Sequence, residues 1–125
     1  MSHTDQKATI NDLKEIVKKF TEARSWTQFH SPKTLTQAIA IEASELMELF
    51  LWADNENSKL ILEQKRAEVE SEIADVFCYL LQLAWEYNID LADALIKKMA
   101  INEKRYPIEK AKGNSLKYTM LDPNS

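Results

Sequence analysis

Turn-forming residues are scarce in this chain, with one glycine and three prolines among 125 residues. A many-stranded sheet needs more sharp turns than these supply, whereas long helices with short connections do not. Cysteine is limited to Cys78, which excludes an intramolecular disulfide and fits a reducing, cytoplasmic setting. No apolar run approaches the roughly 18 residues that cross a bilayer. The opening "MSHTDQKATIND" lacks the apolar core of a secretion signal. Positive charge is also short, with a net charge of −4 and a pI near 5.2. That balance argues against a nucleic-acid-binding surface. An anionic ligand would need a local cluster of bases or a metal ion. The expectation is a soluble cytoplasmic protein with neither nucleic acid nor membrane as partner.

What the chain does contain is helical periodicity. Hydrophobic residues make up 45% and charged residues 29%, and the length suits one domain, residues 1–125, with a real core. Ile10, Leu13, Ile16, Val17 and Phe20 recur at helical spacing, and Thr9 with Asp12 reads as a capping box, so a first helix is expected to Arg24. "SWTQFHSPK" breaks the pattern, and Pro32 disfavours helix just before it. A second helix is expected from Thr34 or Leu35 to Ala53, ending in "DNENS". A third should run from about Lys59 to Tyr87. Asp90 reads as the cap of a fourth, which Pro107 ends. The expected fold is all-α, a four-helix core over about residues 9–107 with an irregular arm from Ile108.

Carboxylates interrupt the apolar stretches of two of these helices. In "IEASELMELFLW" Leu46, Leu49 and Phe50 fall within about 80° of Glu42, and Glu45 and Trp52 follow on its other side. Glu48 lies nearer the polar face and reads as a solvated charge. "ESEIADVFCYLLQLAW" repeats the spacing with Glu72 and Asp75, flanked by Val76 and Leu83, while Glu68 and Tyr79 share that stripe. If the two helices pack side by side, the pairs face each other. Four carboxylates in a partly dry space cannot all stay ionised without a cation. An oxygen-only ligand set suits Mg²⁺ or Mn²⁺. Iron and zinc fit less well, because neither His3 nor His30 stands three residues after a glutamate. Against this stands the ordinary reading, since one Glu-x-x-Glu on a helix is common as surface charge.

The motifs "EASE" (Glu42, Glu45) and "EIAD" (Glu72, Asp75) resemble the signature of the all-α, MazG-like nucleoside triphosphate pyrophosphohydrolases. "RSWTQFHSPK", "ELMELFLW", "DVFCYLLQLA", "KKMAINEKRYP" and "KGNSLKYT" are similar, in order, to segments of the dCTP pyrophosphatase branch. The likeness spans about residues 10–119. It implies that Glu42, Glu45, Glu72 and Asp75 hold Mg²⁺ on the triphosphate. It also implies that Trp26, His30, Trp52 and Tyr79 surround base and sugar, with Lys98 and Asn102 reaching the ligand. Arg105 either bonds phosphate or pairs with an acidic neighbour. Some relatives carry histidine where this chain has Val17, a departure that bears on base or sugar contact. The implied reaction splits (d)NTP into monophosphate and pyrophosphate, with Glu45 as one candidate base. The chain lacks a Gly-rich phosphate loop, so metal and helix-borne bases must hold the phosphates. Wide apolar faces and the resemblance together imply a homo-oligomer, dimer or tetramer. Two other readings stay open: a pyrophosphohydrolase with another base preference, and a non-catalytic helical protein that binds nucleotide or metal.

Overall fold

The computed structural model describes residues 3–121, and among these every regular element is a helix. Helix α1 spans Ile10–Ala23. Thr9 and Asp12 close its first turn reciprocally, at 3.0 and 2.9 Å, as the capping-box spacing predicts. Its end is equally defined. Ser25 takes a left-handed φ of 53°, and the amide of Trp26 bonds back to the Thr21 carbonyl at 3.1 Å. This closing turn aims Trp26 back toward α1. A single 3₁₀ turn, Thr27–Phe29, leads to His30.

Helix α2 is Pro32–Glu48, two or three residues earlier at its start and five earlier at its end than expected. Proline needs no amide partner in a first helical turn, and Ser31 caps it by accepting from the Thr34 amide at 3.1 Å. Beyond Glu48 the bonds tighten to i−3 turns through Leu51. Asp54 then caps a separate helix, α3, Asn55–Gln64. The expected single helix over about 59–87 is therefore two, because the chain breaks at Lys65 (φ −116°, ψ 29°) before α4, Arg66–Glu86.

Helix α4 is the spine of the unit that runs to Ile89, and α1, α2 and α3 all pack on it. Its Val69, Leu81 and Ala84, with Leu35 from α2, are the fully buried hydrophobic residues among those described. One polar pair shares that interior: Thr21 donates to Gln82 at 2.7 Å. Helices α2 and α4 run antiparallel, since His30 just before α2 meets Glu86 at the end of α4, while Glu45 meets Glu72 near the other ends.

The second unit begins at Asp90. Asp90 caps α5, Leu91–Arg105, by accepting from the Asp93 amide at 2.9 Å, as its position predicts. The stretch expected to be wholly irregular contains two short helices, α6 (Ile108–Ala111) and α7 (Tyr118–Leu121). Tyr118 meets Tyr106 edge to face at 6.1 Å, an apolar contact that sets α7 against the end of α5. Gly113 between the short helices has φ 81°, where a side chain would be strained.

Candidate active site

Three-residue spacing places Glu42 and Glu45 on one face of α2, and Glu72 and Asp75 on one face of α4. Antiparallel packing then turns the two faces together. Glu42, Glu45 and Glu72 each offer an oxygen within 4.8 Å of the others. Asp75, one turn along, stays outside that trio, but its charge acts on both Glu42 and Glu72.

Two of these carboxylates are badly served by the protein. Glu42 Oε2 and Glu72 Oε2 are shut off from solvent without any hydrogen-bond partner. An ionised oxygen in that condition forfeits hydration with nothing in return. Loss of water accordingly pushes both groups above the usual carboxylate range. Contact with Glu45 and repulsion from Glu45, Asp75 and Glu72 add to this for Glu42, and Glu45, Asp75 and Glu48 add to it for Glu72. A divalent cation would answer both deficits, supplying a partner for the orphan oxygens and cancelling the repulsion. The donors are carboxylate oxygens alone, which suits a hard ion. The residues present therefore fit such an ion.

Tyr79 lies one turn beyond Asp75. Burial first, then Glu42, Cys78 and Asp75, raise its pKa, so its hydroxyl keeps its proton; burial, Asp75 and Glu42 do the same to the Cys78 thiol. Next to the trio opens a cavity of about 680 Å³, walled by Glu45, Glu48, Trp52, Asn57, Lys65 and Glu72 among others. Trp52 is 95% exposed, an aromatic face free for a flat ligand. Glu48 is exposed, as its helical position predicts, yet it too borders this cavity.

Trp26 and His30 are not on the cavity wall. Trp26 rests edge to face on Phe20 at 5.6 Å. His30 is largely buried, its Nδ1 3.0 Å from Glu86 Oε2, and Gln82 donates to the same oxygen at 2.7 Å. A polar chain thus runs Thr21–Gln82–Glu86–His30. It lies near the end of α4, and from Asp75 it is about 10 Å to Gln82 and 16 Å to Glu86 along the axis. Val17 is half-buried on α1. In the second unit Lys98, Asn102 and Arg105 share one face of α5; the Asn102 amide contacts Met99 Sδ at 3.8 Å, and the Arg105 guanidinium lies 4.6 Å over the Tyr118 ring.

Sequence reasoning missed Asn57 and Lys65. Both belong to α3 or its junction with α4, and "EQKRAE" contains only good helix formers, so nothing in it marks the break.

Residues 37–121 match the model of the MazG-like family. The chain is 39% identical over 115 residues to the dCTP pyrophosphatase 1 of Mus musculus and to that of Homo sapiens. Each match covers 90% of this chain and 68% of the relative. A pyrophosphatase from Archaeoglobus fulgidus DSM 4304 superposes with a TM-score of 0.76 at 37% identity, covering 86% of this chain and 97% of that one.

Proposed function

The chain belongs to the MazG-like family and is a nucleoside triphosphate pyrophosphatase, and from that premise we propose a Mg²⁺-dependent enzyme that favours dCTP or a modified dCTP. Its products are the monophosphate and pyrophosphate, and its service is cleansing of the cytoplasmic nucleotide pool. The observation that carries the reading is the Glu42–Glu45–Glu72 convergence with its two partnerless buried oxygens.

In this reading Glu42, Glu45, Glu72 and Asp75 hold the ion; Mn²⁺ satisfies the same ligands. Bound there, the ion would offset the triphosphate charge and acidify a water for attack at the α-phosphorus. Glu45 is the most exposed of the trio, which leaves it best placed to take the proton from that water. Trp52 stacks on the base, a contact worth roughly 1–3 kcal/mol that every base can make. Choice among bases needs hydrogen bonds to the ring edge, where a missing partner leaves a buried polar group unpaired. His30 and its loop are assigned that role. Trp26, Tyr79, Lys98, Asn102 and Arg105 complete the proposed binding set, and all 125 residues serve as one functional domain. Because Trp26 and His30 stand toward the far end of α4 from the carboxylates, they suit a pocket completed by a second copy. A homo-oligomer accords with that placement.

The test is pyrophosphate release from a panel of dCTP, 5-substituted dCTP, dTTP, dUTP and dATP, with Mg²⁺ and with EDTA. Activity should be lost in EDTA and highest on the cytosine substrates. In ¹⁸O-water the label should enter the monophosphate; label in pyrophosphate would mean attack at the β-phosphorus. Equal rates on all bases, within about threefold or 0.65 kcal/mol, would remove the cytosine preference and leave a general pyrophosphohydrolase.

A further inference from the structure

The wall of the 680 Å³ cavity carries three acidic side chains, Glu45, Glu48 and Glu72, and a single basic one, Lys65. Lys65 is there because the chain breaks at that residue; φ −116° and ψ 29° make it a corner between α3 and α4 instead of one more surface position on a continuous helix. Its side chain is exposed, and among the described residues no ion pair includes it. The nearby acids Glu63 and Glu70 lean to Arg66 instead, at 3.9 and 3.7 Å. A lysine in an acidic cavity that has no carboxylate partner is available to a ligand.

Its distance from the carboxylates suits a long anion. Lys65 and Glu72 are seven residues apart, about two helical turns or 10 Å along the axis. Side chains on a helix tilt toward its N-terminus, so the Glu72 carboxylate leans toward Lys65, and lysine brings its charge on a flexible four-carbon stem. With an α-phosphate held at the carboxylates, two more phosphates remain to be accommodated in the cavity. Attack by water at the α-phosphorus breaks the α–β bridge; the bridging oxygen departs with pyrophosphate and takes up negative charge, while the water's oxygen stays on the monophosphate. A cation beside the departing group serves binding and this charge alike.

We propose that Lys65 binds the β- and γ-phosphates and sets the requirement for a triphosphate over shorter nucleotides. This rests on the reading that Glu42, Glu45 and Glu72 carry the metal-bound triphosphate. The experiment is calorimetric titration of the full chain with inorganic pyrophosphate plus Mg²⁺, and separately with dCMP plus Mg²⁺. Wild type, Lys65→Ala and Lys65→Arg are compared. Lys65→Ala should weaken pyrophosphate about tenfold, the scale of one charge-assisted hydrogen bond, and leave dCMP within about twofold. Lys65→Arg should restore most of the pyrophosphate affinity. Lys65 is exposed, so its truncation does not open the core. Pyrophosphate affinity unchanged in Lys65→Ala, loss of both ligands in parallel, or no pyrophosphate binding by the wild type would each overturn the proposal. A wild type that binds pyrophosphate through Lys65 yet hydrolyses no nucleoside triphosphate would instead sink the proposed activity and leave the phosphate contact standing.

Discussion

The surroundings of Glu42 and Glu72 disfavour a charge on either, because each keeps an oxygen dry and unpartnered. Both have raised pKa values in the folded chain, so folding favours their protonated forms. Their contribution to stability is complete below the ordinary value of 4.5 and is lost as pH rises through the raised values. Metal-free protein should therefore lose thermal stability as pH climbs from about 4.5 toward neutrality, and Mg²⁺ should recover it. Glu72→Gln removes one charge from the cluster. We expect it to abolish turnover, flatten the pH slope of Tm without metal, and shrink the Mg²⁺-induced rise in Tm. Calorimetric melts with and without Mg²⁺ across that pH range test the set. A Glu72→Gln variant with the wild-type slope would take Glu72 out of the explanation. The same group was visible in the sequence, since acidic residues at three-residue spacing beside Leu, Met and Phe are costly unless compensated. Asp75 shows the limit of that reasoning: spacing puts it on the right face, and only packing leaves it one turn outside the trio.

Helices were legible where a side chain closes them. The boundaries at Thr9 and Asp90 follow from local hydrogen bonds that the residue types announce. The break at Lys65 has no such mark, and with it α3, Asn57 and Lys65 itself stayed hidden. The partner of His30 was hidden for another reason. A histidine in a loop says nothing of its partner, and Glu86 lies 56 residues away on α4. The chain Thr21–Gln82–Glu86–His30 links α1, α4 and the loop carrying His30 through a mostly apolar interior. Its inner bond is buried, so breaking one side strands the other. Thr21→Val should cost about 1–3 kcal/mol, the range for a buried group left unsatisfied. In urea unfolding this would appear as a lower midpoint at unchanged m-value. Adding Gln82→Leu should cost less than the sum of the single changes, because the stranded amide oxygen goes with it. Strictly additive losses would mean that the Thr21–Gln82 bond contributes nothing of its own.

At the scale of the molecule, much apolar surface among the described residues stays exposed. Ile73, Phe77 and Leu80 form a stripe at successive turns of α4 and are 50%, 37% and 40% exposed, and Ile41 of α2 is 58% exposed. Among the described residues no helix is long and apolar enough to cross a membrane. The proposed self-association would cover these side chains, and in that reading it would also bring the Trp26 and His30 of another copy to the carboxylate end of α4. Light scattering at micromolar concentration should thus report a dimer or tetramer, and Phe77→Arg should shift it toward monomer by burying an unpaired charge. Mass alone does not distinguish a shared pocket from simple contact. Mixing two differently impaired variants does. Glu72→Gln lacks its carboxylate and His30→Ala lacks its base contact, so a mixed oligomer with a shared pocket contains one pocket in which both groups are intact. Activity on dCTP should then rise above that of either variant on mixing, up to the statistical share of such pockets. Recovery confined to the rate of His30→Ala alone would place both groups in the service of the same copy, and a fully active monomer would end the shared-pocket reading.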